Sequence, residues 1–253
     1  MPWNPDKYHQ FQNQRSAPFE DLLQLVEVRS NLKVVDLGCG TGELTRRLAD
    51  ILPDSSDVLG IDSSPQMLER TVEYARPGLR FELGDQTELD GQWDLIISNA
   101  ALHWSEQHEE LIPRLFNRLK AGGQMAVQVP SNHNSTAHRT IIEVARIEPF
   151  VSALNGWFRE SPVLPIEAYA ELLFQEEAQE ILVFEKVYPH VLENADAVVD
   201  WISGTTMLPY FERLGDLKDN FVQVTRQIMR AAMPGEPVFY PFRRTFFSAR
   251  KGS

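Results

Sequence analysis

Cysteine is nearly absent: Cys39 is the only one in 253 residues. An intramolecular disulfide is therefore impossible, and a reducing compartment, the cytoplasm, is expected. No apolar run approaches the ~20 residues that a membrane-spanning helix needs, so no membrane is expected as a partner. The first residues, Met1-Pro2-Trp3-Asn4-Pro5-Asp6, carry neither the basic nor the apolar stretch of a secretory leader. Positive charge is also short, with 24 Lys and Arg against 36 Asp and Glu, a net charge of −12. That field repels a polyanion, and no basic stripe interleaved with aromatics offsets it, so nucleic acid is disfavoured as a partner. The six histidines are scattered, and His103 and His108, five apart, do not share a helix face, so no metal is expected. Repeats and low-complexity tracts are missing too. What is present is a chain with 43% hydrophobic residues, enough to bury a sizeable core.

The most informative stretch is Val34-Val35-Asp36-Leu37-Gly38-Cys39-Gly40-Thr41-Gly42. A buried strand feeds a tight turn, and a helical pattern follows. Glycines at alternate positions allow positive φ and let a ligand lie against the backbone. A nucleotide-type ligand over the carboxyl end of the first strand of a doubly wound sheet is the natural reading. A dinucleotide fingerprint needs G-x-G-x-x-G, with a pyrophosphate on the helix N-terminus. Here the spacing is G-x-G-x-G behind Asp36, and an acid there suits a cation better than a phosphate. Cys39 has no neighbouring base in the sequence and does not read as a nucleophile.

Further anchors follow at strand ends. Val58-Leu59-Gly60-Ile61-Asp62 ends in an acid twenty residues after Gly42, where such folds bind ribose hydroxyls. Asp62 has a competing use as a helix cap, but Ser64 before Pro65 serves that cap better. Met67 on the next helix packs on an adenine face or in the core. Leu79-Arg80-Phe81-Glu82-Leu83 leads into Gly84-Asp85-Gln86, a ligand-reading edge or simply a turn pair. Trp93–Ser98 reads as a fourth strand with Asn99 at its end, and Leu119–Val129 as a helix end, a glycine turn and a fifth strand. Alternating patterns between 33 and 129 predict an α/β doubly wound sheet. The last two strands, 181–189 and 236–250, are separated by helical insertions, with helical stretches near 195–203 and 212–233.

The motif Asp36-Leu37-Gly38-Cys39-Gly40-Thr41-Gly42 resembles the first motif of the class I S-adenosylmethionine-dependent methyltransferases. That resemblance implies a seven-stranded Rossmann-like sheet with helical cap insertions, S-adenosylmethionine as cofactor and S-adenosylhomocysteine as product. It implies cofactor contacts from Trp3, Tyr8, Arg15, Asp36, Gly38, Cys39, Gly40, Asp62, Ser63, Met67, Asp85, Gln86, Asn99 and Ala100. Asp85 would accept from the adenine amino group, and the next backbone N–H would read a ring nitrogen. Residues 1–253 read as a single methyltransferase domain. Residues 1–30 form N-terminal lid helices (one over 3–15, one over 17–28), 31–130 the cofactor core, and 131–180 and 190–235 a helical cap that closes the pocket.

Trp3-Asn4-Pro5 with Tyr8, Gly60-Ile61-Asp62-Ser63-Ser64-Pro65, Ser98-Asn99-Ala100-Ala101-Leu102-His103-Trp104, Ala126-Val127-Gln128-Val129-Pro130 and Phe246-Phe247-Ser248-Ala249-Arg250 are similar to the trans-aconitate 2-methyltransferase family. This implies an O-methyltransferase that forms the methyl ester of a small carboxylic acid. A carboxylate with a reference pKa near ~4 is ionised at neutral pH, so no general base is required and no catalytic acid–base residue is expected. Orientation in a dry site carries the acceleration. A polyanionic substrate calls for arginine forks. Arg244 is the first candidate and Arg139 the second, with Trp104, His103 and Tyr210 as further substrate contacts. The alternatives are a different small-molecule acceptor on the same fold, or a non-catalytic S-adenosylmethionine-binding regulator.

Overall fold

The structure, a computed structural model, describes residues 12–252, with side chains from residue 17 onward. The expectations for Trp3, Tyr8 and the side chain of Arg15 lie outside the described residues. Two compact units divide the chain. One comprises Arg15–Pro130, Pro162–Lys186 and the chain from Arg244 on. The other comprises Ser131–Ser161 and Val187–Arg243, with residues 12–14. The stretch 131–180, read from the sequence as one cap segment, is thus shared between them.

The first unit holds the sheet. Its strands are β1 (Lys33–Leu37), β2 (Asp57–Asp62), β3 (Leu79–Leu83), β4 (Trp93–Asn99), β5 (Leu119–Pro130), β6 (Gln179–Leu192) and β7 (Val238–Arg250), the last two beginning or ending in the other unit. The order is β3-β2-β1-β4-β5-β7-β6. β1 pairs in parallel with β2 and β4, β2 with β3, and β4 with β5, whereas β7 runs antiparallel to β5. This is the seven-stranded α/β sheet expected. The order reverses between β1 and β4, and ligands of open α/β sheets bind beyond the carboxyl ends at such a point.

Register decides which side chains share a face. Asp36 lies opposite both Gly60 and Ile97, Asn99 opposite Gln128, Gln128 opposite Phe246, and Pro130 opposite Arg244. With the two-residue alternation of a strand, Asp36, Asp62, Asn99, Gln128 and Arg244 all belong to one face. The other face carries Val35, Leu37, Ile96, Val127 and Phe247 and is covered by two helices, α4 (His108–Asn117) and α7 (Ile166–Gln175). Tyr169 of α7, fully buried, stacks on Phe247 with ring centroids 4.5 Å apart. On the first face α1 (Gln12–Leu23) buries Phe19 and Leu22, and α2 (Glu43–Ile51) buries Thr45, Leu48 and Ala49. Between β2 and β3 stands the short α3 (Pro65–Leu68), capped by Ser64.

Three boundaries differ from the sequence reading. Most of the helix expected over 3–15 lies outside the described residues, and the helix expected over 17–28 starts earlier and ends sooner, running Gln12–Leu23 with Pro18 inside it. Tighter turns end it, Leu25 N donating to Leu22 O and Val26 N to Leu23 O. Leu119–Gly123 is not a helix end and turn but the start of β5. The strand bulges there: Trp93 pairs with Leu119, and the next pair is Leu95 with Gln124. Gly122 takes φ +70°, and a Cβ at Gly123 would press on carbonyl oxygens of Lys120 and Trp93 at 2.9 and 3.0 Å. The helix expected near 212–233 is broken at Gly215, where φ is +52°.

The second unit is mainly helical, with α5 (Thr136–Ala145), α6 (Phe150–Ala153), α8 (Ala195–Ser203), α9 (Leu208–Leu214) and α10 (Lys218–Ala232). Phe221 is its packing centre. Phe150 meets it edge-on at 5.1 Å, and Tyr210 stacks on it at 5.5 Å.

Candidate active site

Each glycine of the turn has its own physical reason. All three hold positive φ: +74° at Gly38, +57° at Gly40 and +83° at Gly42. A Cβ on Gly38 would overlap the Cβ of Ala101, and one on Gly42 would meet the Phe81 ring at 2.9 Å. Those two are glycines because protein packs against them. Gly40 has nothing within 4 Å of the position its Cβ would take. Space beside Gly40 is left open by the fold, and that is where a ligand can approach the backbone.

The turn is tied to the end of β2. Gly38 N and Cys39 N both donate to Ile61 O, at 2.8 and 3.0 Å. Gly40 N donates to Asp62 Oδ2 at 2.8 Å, and Ser64 N to Asp62 Oδ1 at 2.8 Å. The sequence leaves Asp62 free of capping duty. Ser64 does cap α3, as that reading has it, but Asp62 is not without partners, since it holds the backbone N–H groups of Gly40 and Ser64. Each carboxylate oxygen accepts more than one hydrogen bond, so Asp62 retains capacity for ligand hydroxyls. Ser63 is exposed and Met67 half-buried beside it.

Asp36 is 4% exposed, and Thr45 Oγ1 donates to its Oδ2 at 2.6 Å. Burial pushes its carboxyl pKa up to about 6; the Thr45 bond opposes this, and the Asp62 charge adds to it. A cationic group nearby would relieve that charge. Burial, then the charges of Asp36 and Asp62, push the Cys39 thiol up, so it stays protonated and is no nucleophile.

Asp85 is exposed, and its Oδ1 accepts from Thr87 N at 2.7 Å, capping a 3-10 turn over Gln86–Glu88. Gln86 Nε2 donates to Ser105 Oγ at 2.6 Å and to Ala101 O at 3.3 Å. Its side chain therefore fixes the segment after β4. There Asn99 ends the strand, and Ala100 takes φ +52°, rare for a residue with a Cβ. Such outliers cluster at functional sites. Asn99 Oδ1 is buried without a hydrogen-bond partner among the described residues. His103 and Trp104 stand in the 3-10 turn that follows, their rings 4.9 Å apart, Trp104 exposed. That turn is anchored from behind. His108 Nε2 donates to Leu102 O at 2.9 Å, and its Nδ1 accepts from the Tyr169 hydroxyl at 2.6 Å. Burial lowers the His108 pKa, so the ring is neutral.

On the same face as Asn99, Arg244 is 5% exposed, and its Nη1 donates to Gln128 Oε1 at 3.0 Å. Arg139 and Tyr210 belong to the other unit. Arg139 is exposed on α5. Tyr210 is buried, and its hydroxyl accepts from Arg159 N at 3.0 Å. In that unit His138 bridges Ser135 Oγ and Thr206 Oγ1, at 3.0 and 3.3 Å. Burial, helped by His133 and Arg159, pushes its pKa down to about 4, which makes it a neutral hydrogen-bonding ring.

Of the expected set, Asp36, Asp62, Asn99 and Arg244 thus share one sheet face, and Gly38, Cys39, Gly40 and Ala100 lie in the turns that follow β1 and β4. Sequence reasoning missed three side chains that hold them, Thr45, Phe81 and Gln128, and for Gln86, a member of the expected set, it missed that the amide fixes the segment after β4. Only Gln128 leaves a sequence signal, as a polar residue inside an apolar strand.

Comparison with known proteins bears on this geometry. Residues 34–123 match a family described as methyltransferase domain. A trans-aconitate 2-methyltransferase of Deinococcus radiodurans is 46% identical over 258 residues, covering 99% of both chains. The chain belongs to the trans-aconitate 2-methyltransferase family. A member from Variovorax paradoxus is 36% identical over 92% of this chain and 91% of its own, and one from Mycobacterium tuberculosis is 35% identical over 99% and 97%. The sheet of this methyltransferase also recurs among solved structures. The YcgJ protein of Bacillus subtilis superposes with a TM-score of 0.62 at 14% identity, over 94% of this chain and 99% of its own. A Haemonchus contortus phosphoethanolamine N-methyltransferase 2 in complex with S-adenosyl-L-methionine superposes with a TM-score of 0.56 at 16% identity, over 94% of this chain and 53% of its own. Both likenesses are of fold. No described helix is long and apolar enough to cross a membrane, and no group of three His, Cys, Asp or Glu among the described residues is arranged to hold a metal ion.

Proposed function

We propose that this methyltransferase works in the cytoplasm, esterifying a carboxylate of trans-aconitate with the methyl group of S-adenosylmethionine and leaving S-adenosylhomocysteine. The observation that carries the choice of substrate is the 46% identity that spans 99% of the chain, well beyond the sheet core. The net charge of −12 argues against nucleic acid as substrate.

The residues at the sheet edge suit the cofactor. Gly40 leaves open space at the turn, Asn99 Oδ1 is a buried oxygen in want of a donor, and Asp36 and Asp62 provide negative charge toward a cation. Bound S-adenosylmethionine supplies a methyl group made electrophilic by its sulfonium. Asp62 holds ribose hydroxyls, fixed in place by the backbone N–H groups of Gly40 and Ser64. Asp85, Gln86 and Met67 receive the adenine, while Gly38, Cys39, Gly40, Ser63, Asn99 and Ala100 line the remainder. Arg244, Trp104 and His103 are assigned to the acid. The protein abstracts no proton, because the attacking carboxylate is already ionised at neutral pH. Its contribution is alignment and exclusion of water.

Turnover of S-adenosylmethionine bearing a labelled methyl group, across a panel of mono-, di- and tricarboxylic acids, tests this reading. The highest kcat/KM is expected with trans-aconitate. Preference for an amine or alcohol acceptor, or cofactor binding without turnover on any acid, would overturn it.

A further inference from the structure

Two glutamines lie on the same face of β5, four residues apart, and both are buried. Gln124 is satisfied at both ends: Glu27 N donates to its Oε1 at 3.0 Å, and its Nε2 donates to Leu25 O at 2.6 Å and Ser248 Oγ at 3.0 Å. Gln128, with 0% exposure, is not. Its Oε1 accepts from Arg244 Nη1, while its Nε2 has no hydrogen-bond partner among the described residues.

The orientation of that amide follows from chemistry. A guanidinium only donates, so the end of Gln128 facing Arg244 is the oxygen, and the NH₂ group is the end that is left. A buried donor without an acceptor carries a desolvation penalty, and native proteins seldom retain one without a use. Its place narrows the use. Gln128 is the register partner of Asn99 on the neighbouring strand, and the two side chains share a face. Asn99 presents the complementary deficit, a buried oxygen with no donor. The two amides do not satisfy each other, although adjacent strands bring them side by side. An acceptor suited to a cation thus stands next to a donor suited to an anion, at the carboxyl ends of the strands.

Resting on the proposed esterification of a carboxylic acid, we infer that Gln128 Nε2 donates to a carboxylate of the methyl-accepting acid, and that Arg244 is its positioning residue, holding the amide so that nitrogen rather than oxygen meets the anion. Arg244 then contributes to substrate selection through Gln128 as well as by its charge.

The test is calorimetric titration of trans-aconitate into protein saturated with S-adenosylhomocysteine, where no turnover occurs. Wild type is compared with Gln128→Glu and Gln128→Met. The glutamate still gives Arg244 an oxygen but offers no donor and adds like charge, whereas the methionine removes the donor at similar volume. Affinity for trans-aconitate should fall roughly ten- to a hundredfold in Gln128→Met, the effect of losing a hydrogen bond to a charged group, and further in Gln128→Glu. S-adenosylhomocysteine affinity should be unchanged in both, and kcat should fall less than kcat/KM. Equal trans-aconitate affinity in wild type and variants would overturn the assignment of Gln128 and leave the esterification reading standing. Failure of wild type to bind any carboxylic acid would overturn both. Should the buried charge of Gln128→Glu prevent folding, Gln128→Met decides alone: a fall in its trans-aconitate affinity supports the assignment, and unchanged affinity overturns it.

Discussion

Replacing Gly40 with alanine separates the space a ligand needs from the space the protein needs. With φ at +57°, an alanine there adopts a left-handed conformation that costs about 1–2 kcal/mol. No steric term adds to that, since nothing lies within 4 Å of the new methyl group. For a chain of this size each kcal/mol lowers the melting temperature by roughly 2–4 °C, so the unliganded variant should fold and melt only several degrees lower. Binding is different. If the open space beside Gly40 receives the cofactor, the methyl group meets the ligand, and overpacking of about 1–3 kcal/mol weakens affinity roughly ten- to a hundredfold. Isothermal calorimetry with S-adenosylhomocysteine and a thermal melt without ligand read the two effects separately. Gly38→Ala supplies the contrast: its Cβ would overlap that of Ala101, so stability should collapse before affinity is reached. A Gly40→Ala protein that binds S-adenosylhomocysteine as tightly as wild type would refute the reasoning, because the space would then belong to solvent.

Two further outcomes follow from buried groups. Asp36, pushed up from 3.8 to about 6 in the folded protein, binds more protons folded than unfolded between those values. Stability should therefore fall as pH rises from about 4 to 6, by about 3 kcal/mol at most, and level off above. Asp36→Asn should flatten this slope and raise the melting temperature of the unliganded protein at pH 8; a lower melting temperature there would contradict the assignment. Tyr169→Phe removes the hydroxyl that donates to His108 Nδ1 and accepts from Leu164 N. Two buried groups lose their partner, so stability should drop by about 1–3 kcal/mol while S-adenosylhomocysteine affinity holds, and an unchanged melting temperature would count against it.

Much of this was legible in the chain itself. The glycines at 38, 40 and 42 between an apolar strand and a helical pattern announced the turn, because only glycine meets those φ values cheaply. Acids at 36, 62 and 85 fell at strand ends, where the alternation of strand and helix patterns put them. Long-range pairing was the part that local pattern could not carry. Asp62 reads as free from its own neighbourhood, because the N–H of Gly40 that it holds lies 22 residues earlier. Leu119–Gly123 reads as a helix end because a bulge in β5 and a glycine turn share the same residues. Gln128 sits in Ala126–Val129 like a tolerated polar residue of a buried strand. Its orientation depends on Arg244, 116 residues later and brought alongside by the antiparallel register of β7. Nothing around Tyr169 in the chain shows that it is committed to His108 and to stacking on Phe247.

Formation of a methyl ester is the central claim, and the chemical lability of the product tests it most directly. Trans-aconitate is incubated with the enzyme and S-adenosylmethionine carrying a labelled methyl group, and the product is treated with mild alkali. An ester releases the label as methanol, and that release, in step with turnover and absent without the acid, is the expected result. Label retained on an alkali-stable product, or no label transferred to trans-aconitate, would contradict the account.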